Sequence, residues 1–569
     1  MFSCAATINL YASWLFLGGR LSLDCGREAA SAALSLTVSL GAGASVLERA
    51  FKLLVQQDGY ELGDADRAAA WAALLRAPRG VEGDGNAASI ASCTLDLPNQ
   101  RVVVVDAERT RAEVESFRSP RVQSRLVRCL TFFVKNGYRY GLADRSSSPF
   151  VVRYRQGLNE LLAALLMLDC ELSDAAIMAT FSRLVCTFAP RYYVDTDDES
   201  FVAVQCSLRL FTLLLCYHDC ELVRFLEQHG CSAELFATPW LVTLFARSLA
   251  RVELFALFDL LIGCAQVPGP AILHFVAVAF VLSHRERILA SKTCGVIASE
   301  LPLLMSRLAF SSVAHVRLVF ASALRLFVDT PRSLREKIES VCYFGPRLSR
   351  VSSSLLESLE ERLCVGIEAN ELAETSLPPP AVERLLSLLL DDRILERGPR
   401  HFILDVRSAG EFRWSGRLPT AFHLDEALLI DPENLGSTLR TLSGLSSCHF
   451  ALIGPADRSR AFAAMFLQRG FKRISEVEGG FASFHQRYKL RLNELLVGHE
   501  PSLCTLCSDG KAIDLLKGLS ALERGGALMR EPGLQPRPVA APRPPSTTLT
   551  TPAPLFSFLS SVLSPPPSR

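Results

Sequence analysis

From about residue 46 to residue 340, apolar positions recur at three- and four-residue steps, as in LERAFKLLVQ, SLRLFTLLLCYHDCELVRFLEQ and LVTLFARSLARVELFALFDLLI. That period predicts helices with one face turned to a core. Strand-like alternation is almost absent from this stretch. Turn-forming material interrupts it at 80–86 (GVEGDGN), 146–149 (SSSP), 195–200 (DTDDES) and 267–270 (VPGP), which divides it into many short helices joined by polar loops. The pattern predicts an all-α domain over 46–340 and a helical linker over 341–359.

The texture changes around the prolines at 378–380. After PAVERLLSLLL, which has helical spacing, come three short apolar runs, HFILDVR, HFALIG and RISEVEGG, with the helical AFAAMFLQRGF between the second and third. Strands alternating with helices predict a small α/β domain with a parallel sheet, here over 360–495. Residues 496–569 read as a linker and a Pro-rich tail (PRPVAAPRPPSTTLTTPAP) too poor in apolar residues to bury a core, hence disordered. The expected fold class is therefore multidomain, all-α followed by α/β. Residues 1–45 form an N-terminal extension whose apolar run at 5–18 lacks a preceding basic residue and is too short to span a bilayer. The apolar run at 271–282 has the length of a buried core helix, and no transmembrane helix is predicted.

At 569 residues the chain has room for about three folded units. Its 49% hydrophobic residues supply several cores, while 60 Lys+Arg against 59 Asp+Glu leave a net charge of +1. That balance provides no overall field for nucleic acid or anionic lipid, so no nucleic-acid partner is expected. Seventeen scattered cysteines, an odd number, do not read as a disulfide framework and suit a reducing cytosol. Cys504 and Cys507 form one close pair with His499 upstream, but the second pair of ligands that a closed tetrahedral zinc site needs is lacking. They are expected to be loop cysteines, with no metal bound.

Two short segments hold the candidate chemistry. In VVVVDAERTR, Val103, Asp106 and Arg109 fit the spacing I/V-x-x-D-x-x-R; in YRQGLNELLAALL stand Tyr154, Gln156 and Gly157; Arg67 and Trp71 precede both in RAAAW. Taken singly, an arginine in a charged helix is usually a solvated surface residue, and a glutamine before glycine is usually a polar turn. In this order and at these separations, the motifs resemble TBC domains, the fold of GTPase-activating proteins for Rab GTPases; YHDCEL (217–222) and FATPWLVTLFA (236–246) extend the likeness.

The resemblance implies that Arg109 is an arginine finger and Gln156 a glutamine finger, both offered in trans to a Rab-family small GTPase. Asp106 would hold the Arg109 guanidinium, and Tyr154, Gly157, Arg67 and Trp71 would support the site. GTP and Mg²⁺ would reside on the partner, leaving this chain without a cofactor of its own. An arginine suits the task because its planar fork is always charged, and such a finger contributes about 10³–10⁵ in rate. A glutamine amide both donates and accepts, as a group orienting water must. One departure stands out: where the TBC pattern continues R-T-x-P, this chain has Thr110, Arg111 and Ala112.

The block HFILDVRSAGEFRWSGRLPTAFHLD, with Asp405, Arg407, Glu411, Phe412, Gly416, Leu418, Pro419 and Ala421, resembles the signature of rhodanese domains. Gly470-Phe471 and Glu478-Gly479-Gly480-Phe481 match its closing segment. Sulfur transfer requires a thiolate nucleophile, expected at or beside Ile453 or Gly454. No cysteine stands there, and Cys448 lies earlier, where a small buried hydrophobe is expected. The second domain is thus expected to be an inactive rhodanese kept for binding or packing. The domain order, with LDLPNQ (95–100) and AFHLD (421–425), is similar to the TBC domain family member 23 group of vesicle adaptors. That likeness implies a cytoplasmic protein, peripheral at the trans-Golgi network and on endosome-derived vesicles, in endosome-to-Golgi transport. It adds a golgin coiled coil as a partner, and with it a second reading as a non-catalytic tether.

Overall fold

An α-helix that is apolar on every side has to be covered on every side. In the computed structural model the segment ILHFVAVAFVLS forms the helix Ile272–Ser283, and Ile272 through Val281 are all buried. Its one polar core residue, His274, is fully paired: Ser207 Oγ lies 2.8 Å from Nε2 and Tyr343 Oη 3.1 Å from Nδ1. Around it pack the helices Asp197–His218, Thr238–Val242 and Val313–Val328, and Arg251–Gly263 packs on the last of these. The structure describes residues 62–77, 84–136, 151–194, 197–266, 268–291, 300–343, 351–376, 399–419, 421–445 and 448–507, all in one compact unit, Met1–Ala512. The apolar run at 5–18, the expected helix in PAVERLLSLLL and the Pro-rich tail lie outside the described residues.

From Asp64–Leu74 to Arg332–Cys342 the described elements are helices, with one isolated antiparallel bridge, Val152 to Val194. Two of the predicted turns contain helix starts. The run DTDDES leads directly into Asp197–His218, and GVEGDGN into Asp84–Ala91; acidic residues favour a first helical turn as much as a loop. Among the described residues one segment, Ser200–His218, is long and apolar enough to cross a bilayer by length and composition, and 67% of that window is buried inside the protein. It is a core helix whose Arg209 donates to the carbonyls of Leu359 and Arg362.

The helix Ser353–Glu360 leads into the second domain, a five-stranded, wholly parallel sheet. Its strands are β1 (Val365–Ile367), β2 (His401–Asp405), β4 (Phe422–His423), β5 (His449–Ile453) and β6 (Ile474–Val477), in the order β1-β6-β5-β2-β4. β3 (Ser415–Arg417) and β7 (Val497–His499) make a separate antiparallel pair. β5 is buried at all five positions, as a central parallel strand covered on both faces requires.

The two domains share structure. Val365 packs into the helical core, and Ile367, two residues on, into the core of the sheet. Glu371, 1% exposed, accepts the backbone N–H of Arg332 at 2.6 Å and of Ser333 at 2.7 Å. A carboxylate from the sheet domain thus satisfies donors that the first turn of Arg332–Cys342 leaves open.

Candidate functional site

The helix Gln100–Arg109 ends on the predicted arginine. Three residues earlier, Asp106 is completely buried. It accepts a hydrogen bond from Arg109 Nη2 on one oxygen and from Tyr154 Oη, at 2.8 Å, on the other. Burial and the Asp106 hydrogen bond both push the Tyr154 hydroxyl pKa up, so it keeps its proton and stays a donor. The Arg109 side chain is 58% exposed, and a buried carboxylate holds one edge of its guanidinium through Nη2. Spacing of i, i+3 on a helix places the two side chains side by side.

Gln156 is exposed in the turn before the helix Leu158–Leu166. Gly157 has φ +119°, and a Cβ there would lie 2.8 Å from Tyr193 Oη and 3.1 Å from Thr243 Cγ2, so the turn that presents Gln156 admits only glycine. The Gly157 N–H donates to Asn159 Oδ1 at 2.9 Å, and Asn159 Nδ2 donates to Thr110 Oγ1 at 2.8 Å. Arg111, the residue after Thr110, is buried at φ +50°. Its Nη1 donates to the Leu249 carbonyl at 2.7 Å, and its Nε pairs with Glu160 at 3.2 Å. Three links, Asp106–Tyr154, Thr110–Asn159 and Arg111–Glu160, therefore bind the Arg109 segment to the Gln156 segment.

The departure from R-T-x-P falls at the exposed Ala112, and the residue before it is the buried arginine that fastens the loop. Asn159, Glu160 and Arg111 were not singled out from the sequence; their partners lie about fifty positions away, so no local spacing marks them. Gln156 and Gly157 also line a cavity of about 670 Å³ with Glu160, Val242, Arg247 and Arg307. Arg109 is not part of that wall.

Arg67 and Trp71 do not join this site. Arg67 Nε donates to both carboxylate oxygens of Asp259, at 3.1 and 3.2 Å, and Trp71 Nε1 donates to Asp259 Oδ1 at 2.8 Å. Both are buried, Trp71 completely, and they fasten the helix Asp64–Leu74 to Arg251–Gly263 through a carboxylate that needs every donor it receives. Their support is to the fold, not to a surface that a partner could touch.

In the second domain, a cavity of about 420 Å³ opens where β2, β5 and β6 end, with Arg407, Glu411, Gly454, Pro455, Gly480 and Phe481 in its wall. Of the described residues lining it none is cysteine. A Cβ on Gly454 would lie 2.5 Å from Val406 Cγ2, so the place of the missing nucleophile is also too tight for one. Cys448 precedes β5, about 20 Å away at the other end of that strand. The signature residues have turned to structure: Arg407 pairs with Asp405 and lies 3.4 Å over the Phe481 ring, and Glu411 closes a capping box with Ser408.

Residues 67–289 match the Rab-GTPase-TBC domain and residues 389–487 the rhodanese-like domain. The TBC domain-containing protein kinase-like protein of Gallus gallus is 27% identical over 442 residues, 73% of this chain and 45% of that protein. Its Homo sapiens namesake is 31% identical over 242 residues, 42% of this chain and 24% of that protein. The chain thus spans less than half the length of these relatives. They are kinase-like TBC proteins, so the narrower likeness to the member 23 vesicle adaptors gains no support from them. Of solved structures, a Chlamydomonas flagellar RabGAP TBC domain matches at 17% identity and a TM-score of 0.35, over 54% of this chain and 97% of that one. The Ypt/Rab-GAP domain of Gyp1p matches at 14% and 0.33, over 52% and 92%. This chain carries a Rab-GTPase-TBC domain followed by a rhodanese-like domain on a parallel sheet.

Proposed function

We propose that the helical domain stimulates GTP hydrolysis by a Rab-family GTPase, with Arg109 neutralising charge on the transferred phosphoryl group and Gln156 ordering the attacking water. The observation that carries this reading is the pair of exposed side chains on two segments stitched together by Asp106–Tyr154 and Thr110–Asn159. Such an arrangement fixes two groups relative to each other before a partner arrives, which is what positioning catalysis needs. Asp106 acts as a positioning residue: it holds one edge of the guanidinium and leaves the other to reach phosphate oxygens. The rhodanese-like domain takes no part in sulfur transfer and serves as a packing platform. The protein would work at whichever membrane carries its GTPase, recruited through that partner.

The test is single-turnover phosphate release from a panel of Rab GTPases with the wild-type chain, Arg109→Lys and Gln156→Ala. Lysine keeps the charge and loses the fork, so stimulation should fall about 10³-fold with Arg109→Lys. Equal stimulation by wild type and Arg109→Lys would overturn the assignment. Binding of a GTP-loaded Rab or a golgin without any stimulation would instead support the tether.

A further inference from the structure

We propose that His485, His499, Cys504 and Cys507 hold one structural zinc ion that fastens the end of the rhodanese-like domain to its sheet. Their four ligand atoms all lie within 4.8 Å of one another, although they come from three elements. His485 sits near the end of the helix Gly480–Arg487, His499 ends β7, and the cysteines follow in the turn C-T-L-C. Cys504 and His485 are buried, and Cys507 is at the surface.

The distances suit a single ion. A tetrahedral zinc with Zn–S of about 2.3 Å and Zn–N of about 2.0–2.1 Å keeps S and N ligand atoms about 3.6 Å apart. Here Cys504 Sγ lies 3.5 Å from His485 Nε2, Cys507 Sγ 3.2 Å from the same atom, and Cys507 Sγ 3.6 Å from His499 Nε2. The two cysteines are joined by a tight turn in which the Cys507 N–H donates to the Cys504 carbonyl at 3.2 Å. Two thiolates with two imidazoles and no carboxylate are a zinc set, whereas an iron–sulfur cluster asks chiefly for thiolates. An outer partner is present too: His499 Nδ1 faces Asn493 Oδ1 at 3.4 Å. A proton on Nδ1 would leave the Nε2 lone pair turned to the cysteines, as ligating histidines require.

Four protein ligands fill the coordination sphere, so the ion would be structural and closed to substrate. Binding releases the two thiol protons to solvent. What it would hold is otherwise weakly attached. β7 is three residues long and, among the described residues, pairs with the three residues of β3 alone, and a two-stranded ribbon of that size is marginal by itself. Between the two cysteines, Thr505 and Leu506 line the cavity at the ends of β2, β5 and β6, and the Thr505 N–H donates to Ser415 Oγ at 3.3 Å. The ion would thereby seat a turn against the cleft where a sulfurtransferase would keep its persulfide. With His485 as the fourth ligand, the expectation of metal-free loop cysteines gives way.

The purified full-length chain should carry one zinc per molecule by elemental analysis. Cys507→Ala and His499→Gln, which alter the less buried ligands and spare the core, should lower that content and raise the thiol reactivity of Cys504, while Cys448→Ala retains full zinc. Cobalt added to the metal-depleted chain should give the visible bands of a tetrahedral thiolate site, absent from Cys507→Ala. A chain without stoichiometric zinc or a cobalt spectrum, zinc unchanged in the Cys507→Ala/His499→Gln double variant, or a Cys504–Cys507 disulfide in place of metal would each overturn the proposal.

Discussion

Tyr217 Oη lies 2.6 Å from His449 Nδ1, a hydrogen bond between residues 232 positions apart that ties the longest helix of the first domain to the central strand of the second. It does not stand alone. The Tyr217 carbonyl accepts the Arg473 N–H at 2.7 Å, Cys220 Sγ donates to the Phe471 carbonyl at 3.2 Å, and Asp219 pairs with Lys472 at 3.2 Å. The segment YHDCEL, which carries part of the likeness to TBC domains, therefore divides its polar atoms between the domains: Tyr217, Asp219 and Cys220 reach the rhodanese-like domain, while His218 bonds Thr330 and Asp219 and Glu221 also pair with Arg285.

Tyr217→Phe should destabilise the whole chain by about 1–3 kcal/mol, because it leaves a buried imidazole nitrogen without its partner. Urea unfolding followed by a helix signal and by a probe in the sheet should show both transitions shifting together. A shift in only one would mean that the contact does not couple the domains.

Acid should loosen the same seam. Burial holds His218 and His449 down to about 3 and His401 to about 4, well below the ordinary 6.5. Unfolding lets each take up a proton at pH values where the folded protein refuses it, so their stabilising contribution is full above about pH 6.5 and falls as pH drops toward 4. Each contributes a slope of up to about 1.4 kcal/mol per pH unit in that window. Denaturant midpoints between pH 7.5 and 5 measure it, and His449→Gln should flatten the curve.

Tyr154→Phe separates positioning from chemistry. It removes one donor from Asp106 and leaves Arg109 in place, so stimulated GTP hydrolysis should drop by about tenfold, the worth of one hydrogen bond, well short of the loss from Arg109→Lys. Single-turnover rates with both variants decide it; equal losses would make the tyrosine more than a support.

Gly157→Ala should cost about 1–3 kcal/mol for a side chain forced to φ +119°, beyond the clash with Tyr193. Thermal melts read the destabilisation, and any activity that survives should fall with loss of the Gln156 turn. An unchanged melting temperature would refute this account of the turn.

Much of the architecture was legible because it rests on period. Apolar steps of three and four marked the helices, and short apolar runs such as HFILD and HFALI marked the strands of a buried parallel sheet. The Asp106–Arg109 contact was legible too, since i, i+3 spacing on a helix brings two side chains together. What sequence alone did not disclose depends on distance along the chain. Asp259 is the reason for Arg67 and Trp71, yet stands about 190 positions beyond them. His485 looks like an ordinary helix residue in GFASFHQR until β7 folds back beside it. Glu371 gives no hint that it caps a helix beginning at Arg332.

That last capping contact decides how the molecule can be divided. The donors of Arg332 and Ser333 are answered by a carboxylate encoded some forty codons later, so a piece cut at the apparent seam would start its final helix bare and leave the Tyr217 hydroxyl with nothing to hold. The helical half and the rhodanese-like half are, in mechanical terms, a single casting.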